Sequence, residues 1–214
     1  MNTTEPQTPQ PKTPQPKTPP NRFVYATMGV LLAALLIGAG GVLWLTGSGG
    51  NNPLSIGGPF TLRSGNDKTV TDQNFRGKYM LVYFGYTFCP DVCPTTLNAV
   101  ADAMDKLGPA ASRIQPLFIS VDPKRDTPAV VKQYAAAFGP SIEGLTGTPE
   151  EIARVAKEYR VYYAEHRTGP GPDDYSMDHS SVLYLMSPTG AFVAPVRADQ
   201  SGDEIAANLK KLMA

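Results

Sequence analysis

Eight residues, Tyr79 to Tyr86, read YMLVYFGY, and nothing in them alternates. A strand with one wet face would place a polar side chain at every second position. An unbroken apolar run needs cover on both faces, as at the centre of an α/β sheet. The residues that follow, TFCPDVCPTTL, hold the only two cysteines of the chain, Cys89 and Cys93, each followed by a proline. Leu97, Val100, Met104 and Leu107 then recur at helical spacing until Gly108-Pro109 stops the pattern. The spacing predicts a helix that starts near Cys93. Thiols at a turn from a buried strand into a helix suit a thioredoxin-like fold.

The rest of the sequence from residue 59 onward agrees with that fold. Phe60–Arg63 and Thr69–Thr71 flank SGND and predict a short hairpin. Gln115–Val121 (QPLFISV) predicts a second buried strand. DTPAVVKQYAAAFGP predicts a helix with Thr127 as its cap, Pro128 in its first turn and Gly139-Pro140 as its stop. TPEEIARVAKEYR and SGDE each carry a capping box, with Thr148 and Glu151 in the first. The helix after SGDE is expected to bury Ile205, Leu209 and Leu212. Ser180–Met186 and Ala191–Val196 flank SPTG and predict a hairpin. The order describes an α/β sandwich with a mixed central sheet in one domain of roughly 155 residues, 59–214.

Ahead of this domain lie three stretches of different character. Residues 1–22 include TPQPKTPQPKTPP, a Pro-rich tract with nothing to bury, and are expected to form a disordered cytoplasmic tail. Phe23 to Leu45 carries no charge and as a helix would span about 34 Å, enough for a bilayer core. Tyr25 and Trp44 stand near its ends, as interfacial rings do. Its length, and the lack of a small-x-small site at its end, favour an uncleaved transmembrane anchor over a signal peptide. Residues 46–58 form a Gly/Asn/Ser linker. Lys12, Lys17 and Arg22 precede the apolar span, and no Lys or Arg follows until Arg63. The positive-inside rule therefore places the domain outside the cytoplasm, across a bacterial cytoplasmic membrane, where a disulfide persists. With 19 basic and 19 acidic residues, the chain has no field to attract nucleic acid.

A helix N-terminus favours negative charge, so Cys93 is expected to ionise more readily than a free thiol. Residues four apart on a helical turn lie about 5–6 Å apart at Cβ, close enough for a disulfide after a small relaxation or for sharing one soft ion. Cu(I) suits so few thiolates; zinc usually takes four ligands. An inert staple is the plainer reading of the pair, but so short a loop restrains the unfolded chain little. Of the two histidines, His179 stands in DYSMDHSSVLYLM just before a buried strand. In a thioredoxin-like sheet that place approaches the cysteine turn, which makes a Cys2His site of Cys89, Cys93 and His179 available. Alone, His179 would more often be a satisfied core or loop histidine. His166 falls in a Gly/Pro-rich stretch and reads as a solvated loop residue. Met177 reads as packing before soft ligand, and Asp122 and Asp126 as turn and cap residues.

Three motifs in order resemble the Sco/SenC family of membrane-anchored, thioredoxin-like copper proteins: YFGYTFCPDVCPTTL, ISVDPKRDTP and YSMDHSSVLYLMSPTGAFV. The resemblance runs from about Pro59 to Leu212 and leaves the Pro-rich tail aside. It implies copper, as Cu(I) or Cu(II), on Cys89, Cys93 and His179. It implies delivery of copper to the CuA centre of cytochrome c oxidase, with the copper-bearing subunit as partner. A second periplasmic copper chaperone or a thiol reductase is a further expected partner. The rival is an enzyme, a thiol–disulfide oxidoreductase that reduces the CuA cysteines, or a copper and redox sensor. A thiol peroxidase is disfavoured, because the signal points to a chelating pair and a histidine and shows no obvious peroxide-binding arginine beside the thiols.

Overall fold

The computed structural model describes residues 56–214. The tail, the expected anchor over 23–45 and most of the linker lie outside the described residues. Among the described residues no helix is long and apolar enough to cross a membrane.

The chain forms β1 (Thr61–Ser64), β2 (Thr69–Thr71), β3 (Tyr79–Gly85), α1 (Val92–Leu107), β4 (Ile114–Ser120), α2 (Pro128–Phe138), β5 (Glu143–Thr146), α3 (Pro149–Glu158), β6 (Tyr163–Arg167), β7 (Tyr175–His179), β8 (Val182–Met186), β9 (Phe192–Arg197) and α4 (Gly202–Leu212). Seven strands make one sheet in the order β2-β1-β5-β4-β3-β8-β9, and β6 and β7 pair separately. β3, β4 and β5 run parallel, while β1, β2, β8 and β9 pair antiparallel to their neighbours. The sheet is mixed, as expected, and β3 lies inside it between β4 and β8.

That position explains the unbroken apolar run. Successive side chains of a strand leave opposite faces. Tyr83 stacks on Phe118, which stacks on Tyr134 of α2, so this face is covered by helix α2. Phe84 stacks on Tyr159, at the end of α3, and on Tyr184. α1 and α4 pack on each other, and the Tyr83 hydroxyl points to Cys93 of α1. From Met80 to Gly85 every residue of β3 is buried.

The helix starts follow their caps. Thr127 Oγ1 accepts from the Val130 amide, and the boxes at Thr148/Glu151 and Ser201/Glu204 are both formed. Each such cap is worth about 1 kcal/mol. α4 buries Ile205 and Leu209 as expected, but Leu212 is only half-buried and Met213 takes the core position. Three strands, β5, β6 and β7, were not expected. β5 is four residues with a glycine inside. Residues around His166 form β6, paired in antiparallel register with β7 from Tyr163↔His179 to Arg167↔Tyr175. His166 is exposed, as read, but it belongs to a ribbon and not to a loop.

Candidate metal centre

Cys89, Cys93 and His179 come together at the carboxyl end of β3, with their ligand atoms all within 4.8 Å of one another. Each arrives by a different device. Cys89 lies in the turn after β3, where its amide donates to the Tyr86 carbonyl at 3.3 Å. Cys93 is the second residue of α1 and is fully buried. Gly85 admits it: a Cβ on Gly85 would stand 2.7 Å from Cys93 Sγ and 3.0 Å from Phe118. His179 ends β7 and reaches across, Nε2 to Cys93 Sγ at 3.3 Å. Both cysteines are free thiols.

The electrostatics of the two thiols are unlike. The expectation that Cys93 ionises readily is corrected by the structure. Burial pushes its thiol up to about 12, with the Cys89 thiol adding to the rise. The open end of the helix instead serves the other sulfur, as the Cys93 amide donates to Cys89 Sγ at 3.4 Å. Cys89 is also the half-exposed one of the pair. The sulfur that an outside thiol or disulfide can reach is therefore that of Cys89.

His179 is held as a neutral ligand would be. Burial lowers its pKa, more than the Ser180 carbonyl and Asp178 raise it. Nδ1 sits 3.3 Å from the Ser180 carbonyl, which accepts a hydrogen bond from Nδ1–H and leaves the Nε2 lone pair facing the sulfurs. The rings of Tyr83 and Tyr86 meet the imidazole edge-on at 6.1 Å and 5.9 Å. Two sulfurs and one imidazole nitrogen form a soft donor set with room for one ion. Met177 is buried in the core, in keeping with packing.

Asp122 and Asp126 do more than turn and cap, which corrects the sequence reading. Both carboxylates are buried. Asp126 accepts from the Thr87 amide at 2.9 Å, the Thr87 hydroxyl at 2.6 Å and the Ser120 hydroxyl at 2.5 Å. It thereby fastens the cysteine turn to the end of β4. Asp122 accepts from Arg125 Nε at 2.5 Å and from the Tyr175 hydroxyl at 2.8 Å, fastening β7 to the same loop. Arg125 was missed altogether. It lies against the cysteine turn by stacking on Phe88, with its guanidinium carbon 4.6 Å from the ring centroid. Its hydrogen bonds run to Asp122 and to the Asp173 and Tyr175 carbonyls. The signal was present in ISVDPKRDTP, where charges sit between a buried strand and a capped helix. Only the fold reveals that they face inward.

The SCO1/SenC family model matches residues 48–214. The SCO1 homolog 1 of Arabidopsis thaliana, a mitochondrial protein, is 49% identical over 140 residues, covering 65% of this chain and 41% of that protein. The chain thus spans less than half the length of that relative. The structure of Bradyrhizobium japonicum ScoI with copper bound is 47% identical with a TM-score of 0.68, covering 74% of this chain and 99% of that one. BsSco, a member of the Sco family of cytochrome c oxidase assembly proteins in which a disulfide switch was identified, is 25% identical with a TM-score of 0.56. It covers 76% of this chain and 96% of that one. With the family model matched from residue 48 to residue 214 on a thioredoxin-like fold, the chain belongs to the SCO1/SenC family.

Proposed function

We propose that this chain is a copper metallochaperone that takes one copper ion on Cys89, Cys93 and His179 and hands it to the CuA centre of cytochrome c oxidase. The observation that carries the reading is the convergence of two thiols and a neutral imidazole within 4.8 Å. The copper-bound relative and the oxidase-assembly role of BsSco support it. So does the surface. The exposed large apolar side chains among the described residues are Phe88, Val92 and Tyr162. Phe88 and Val92 precede the two cysteines, and Tyr162 exchanges backbone and side-chain hydrogen bonds with Ser180, beside His179. An apolar rim around a soft-metal site suits contact with a protein partner. The domain would work outside the cytoplasm, tethered by residues 23–45 to a bacterial cytoplasmic membrane, with the oxidase subunit as recipient.

Redox state gates loading. Binding Cu(I) to the dithiol releases the thiol protons and leaves a complex of two thiolates and one imidazole. The disulfide form has lost two electrons and two protons and offers no thiolate. Conversion back needs an external dithiol. One of its thiolates attacks the reachable Cys89 sulfur and releases Cys93, which takes up a proton. Its second thiol then displaces Cys89 from the mixed disulfide and leaves the reductant as its own disulfide. The contrast between Cys89 and Cys93 also favours a second reading, in which the reduced pair passes its electrons to a disulfide between the CuA cysteines.

The test is copper titration of the purified chain in both redox states. The reduced protein is expected to bind about one Cu(I), and the Cys89–Cys93 disulfide form far less. Equal binding by both forms would remove the site from these sulfurs.

A further inference from the structure

Arg125 lies between the two halves of the site and touches both. Its side chain is only 9% exposed. On the cysteine side it stacks against Phe88, the residue before Cys89. On the histidine side its guanidinium carbon lies 3.6 Å from the Tyr175 ring centroid, and Nη1 donates to the Asp173 and Tyr175 carbonyls at 3.2 Å and 3.0 Å. Tyr175 opens β7, and His179 ends it. Below, Arg125 pairs with Asp122, whose other oxygen holds the Tyr175 hydroxyl. Nη2 is buried without a hydrogen-bond partner. A buried cation with an unsatisfied donor is a poor filler of space. Its planar face and forked donors, however, let one side chain stack on rings and hold carbonyls at once, which a lysine cannot do.

We infer that Arg125 is a positioning residue that couples the cysteine turn to the β6–β7 ribbon and so sets how closely His179 approaches the two sulfurs. The inference rests on the reading of Cys89, Cys93 and His179 as copper ligands. It extends that reading to a side chain that touches none of the three. Phe88, 60% exposed, is the outer end of the coupling.

The experiment measures Cu(I) affinity of the full-length reduced protein against a chromophoric Cu(I) chelator. Arg125→Lys keeps a charge for Asp122 but removes the stacking plane and the fork. It is expected to lower affinity 10- to 100-fold, as loss of a group that orients a ligand does. Phe88→Ala disturbs no buried charge and is expected to lower it about two- to fivefold; it decides the matter if Arg125→Lys does not fold. Repeating both substitutions on His179→Ala separates positioning from general stability. With no histidine to position, both effects should vanish. Amide hydrogen exchange in Arg125→Lys should quicken in 163–167 and 175–179 and stay unchanged in β3. Wild-type affinity in both variants, or the same loss on the His179→Ala background, overturns the inference and leaves the ligand reading standing. A parent protein whose Cu(I) affinity ignores His179→Ala sinks the ligand reading, and the inference with it.

Discussion

β3 and β7 end at the same point, yet they are built in opposite ways. β3 is an interior strand, hydrogen-bonded on both sides and buried on both faces, and it passes directly into α1. β7 belongs to a two-stranded ribbon whose outer strand, β6, shows Glu165, His166 and Arg167 to solvent. A lone ribbon has little stability of its own. It is held by Arg125, by Asp122 on Tyr175, by Ser180 on Tyr162 and by the Lys124–Glu165 pair at 2.7 Å. The cysteines thus inherit their geometry from the core, and the histidine inherits its geometry from a bracket. A binding site assembled this way has two fixed ligands and one that moves with a small, separately stabilised unit. Lys124–Glu165 is a surface pair weakened by solvent screening, so the buried part of the bracket dominates.

Removing the movable ligand tests this contrast with the largest effect. His179→Ala should lower Cu(I) affinity by more than about 100-fold, beyond the loss of a merely orienting group. Exchange of the Cys89–Cys93 pair with an external dithiol should change little, because the core half is untouched. Chelator competition and thiol-exchange rates check the two halves separately. Equal losses in both would erase the distinction between them.

A smaller effect is expected from crowding the fixed half. Gly85→Ala places a methyl 2.7 Å from Cys93 Sγ and 3.0 Å from the Phe118 ring, both fully buried. Overpacking of this kind costs about 1–3 kcal/mol, read from urea unfolding. Copper affinity should fall with it, since the displaced sulfur is a proposed ligand. Undiminished stability would mean that the core half is softer than its burial implies.

The smallest effect concerns the carboxylate that fastens the cysteine turn to the end of β4. Burial raises the Asp126 pKa, against the hydrogen bonds from Ser120 and Thr87. A carboxyl raised by folding favours the native state when protonated; that contribution is lost as pH rises through its folded value. Asp126→Asn carries no such proton, and its amide can donate to the Thr87 hydroxyl in place of accepting from it. The variant should match the wild type within about 1 kcal/mol in acid. It should gain relative to the wild type as pH rises above the usual carboxylate range. Unfolding midpoints of both proteins across pH 3–7 supply the difference. A flat difference would show that Asp126 is ionised in the fold at no penalty.

The sequence carried the core half well. YMLVYFGY announced an interior strand, the Leu97–Leu107 period announced α1, and three caps placed three helices within a residue of where they start. These signals are local: they depend on spacing and on backbone chemistry within a few positions. The bracket, and the fastening of the cysteine turn to β4, were not legible in the same way. Asp122, Arg125 and Asp126 look like loop charges, because nothing nearby in sequence says that Thr87 and Tyr175 will meet them. The acidity of Cys93 was misread for the same reason. Helix position is a local property, but the desolvation that outweighs it is a property of the assembled core. β6 gave no signal because Glu165, His166 and Arg167 face water together. Tyr175 and Met177, alternating with polar residues in β7, were the trace that did exist.

The pairing of β3 with β8 has a consequence for how this chain tolerates changes in length. Leu183 lies opposite Tyr83 and Met186 opposite Met80, so β8 is locked against the strand that leads to the cysteines. His179 is counted back from that lock through Ser180, Ser181 and Val182. The turn between β6 and β7, residues 168–174, is not part of the count. Residues added at its far end, 169–171, extend the ribbon outward and leave the Arg125 contacts to Asp173 and Tyr175, and with them the imidazole, in place. One residue added or removed between His179 and Val182 changes the length of the short non-strand link and moves the imidazole relative to the two sulfurs. The 86 positions that separate Cys93 from His179 along the chain matter less to the site than this three-residue ruler beside it.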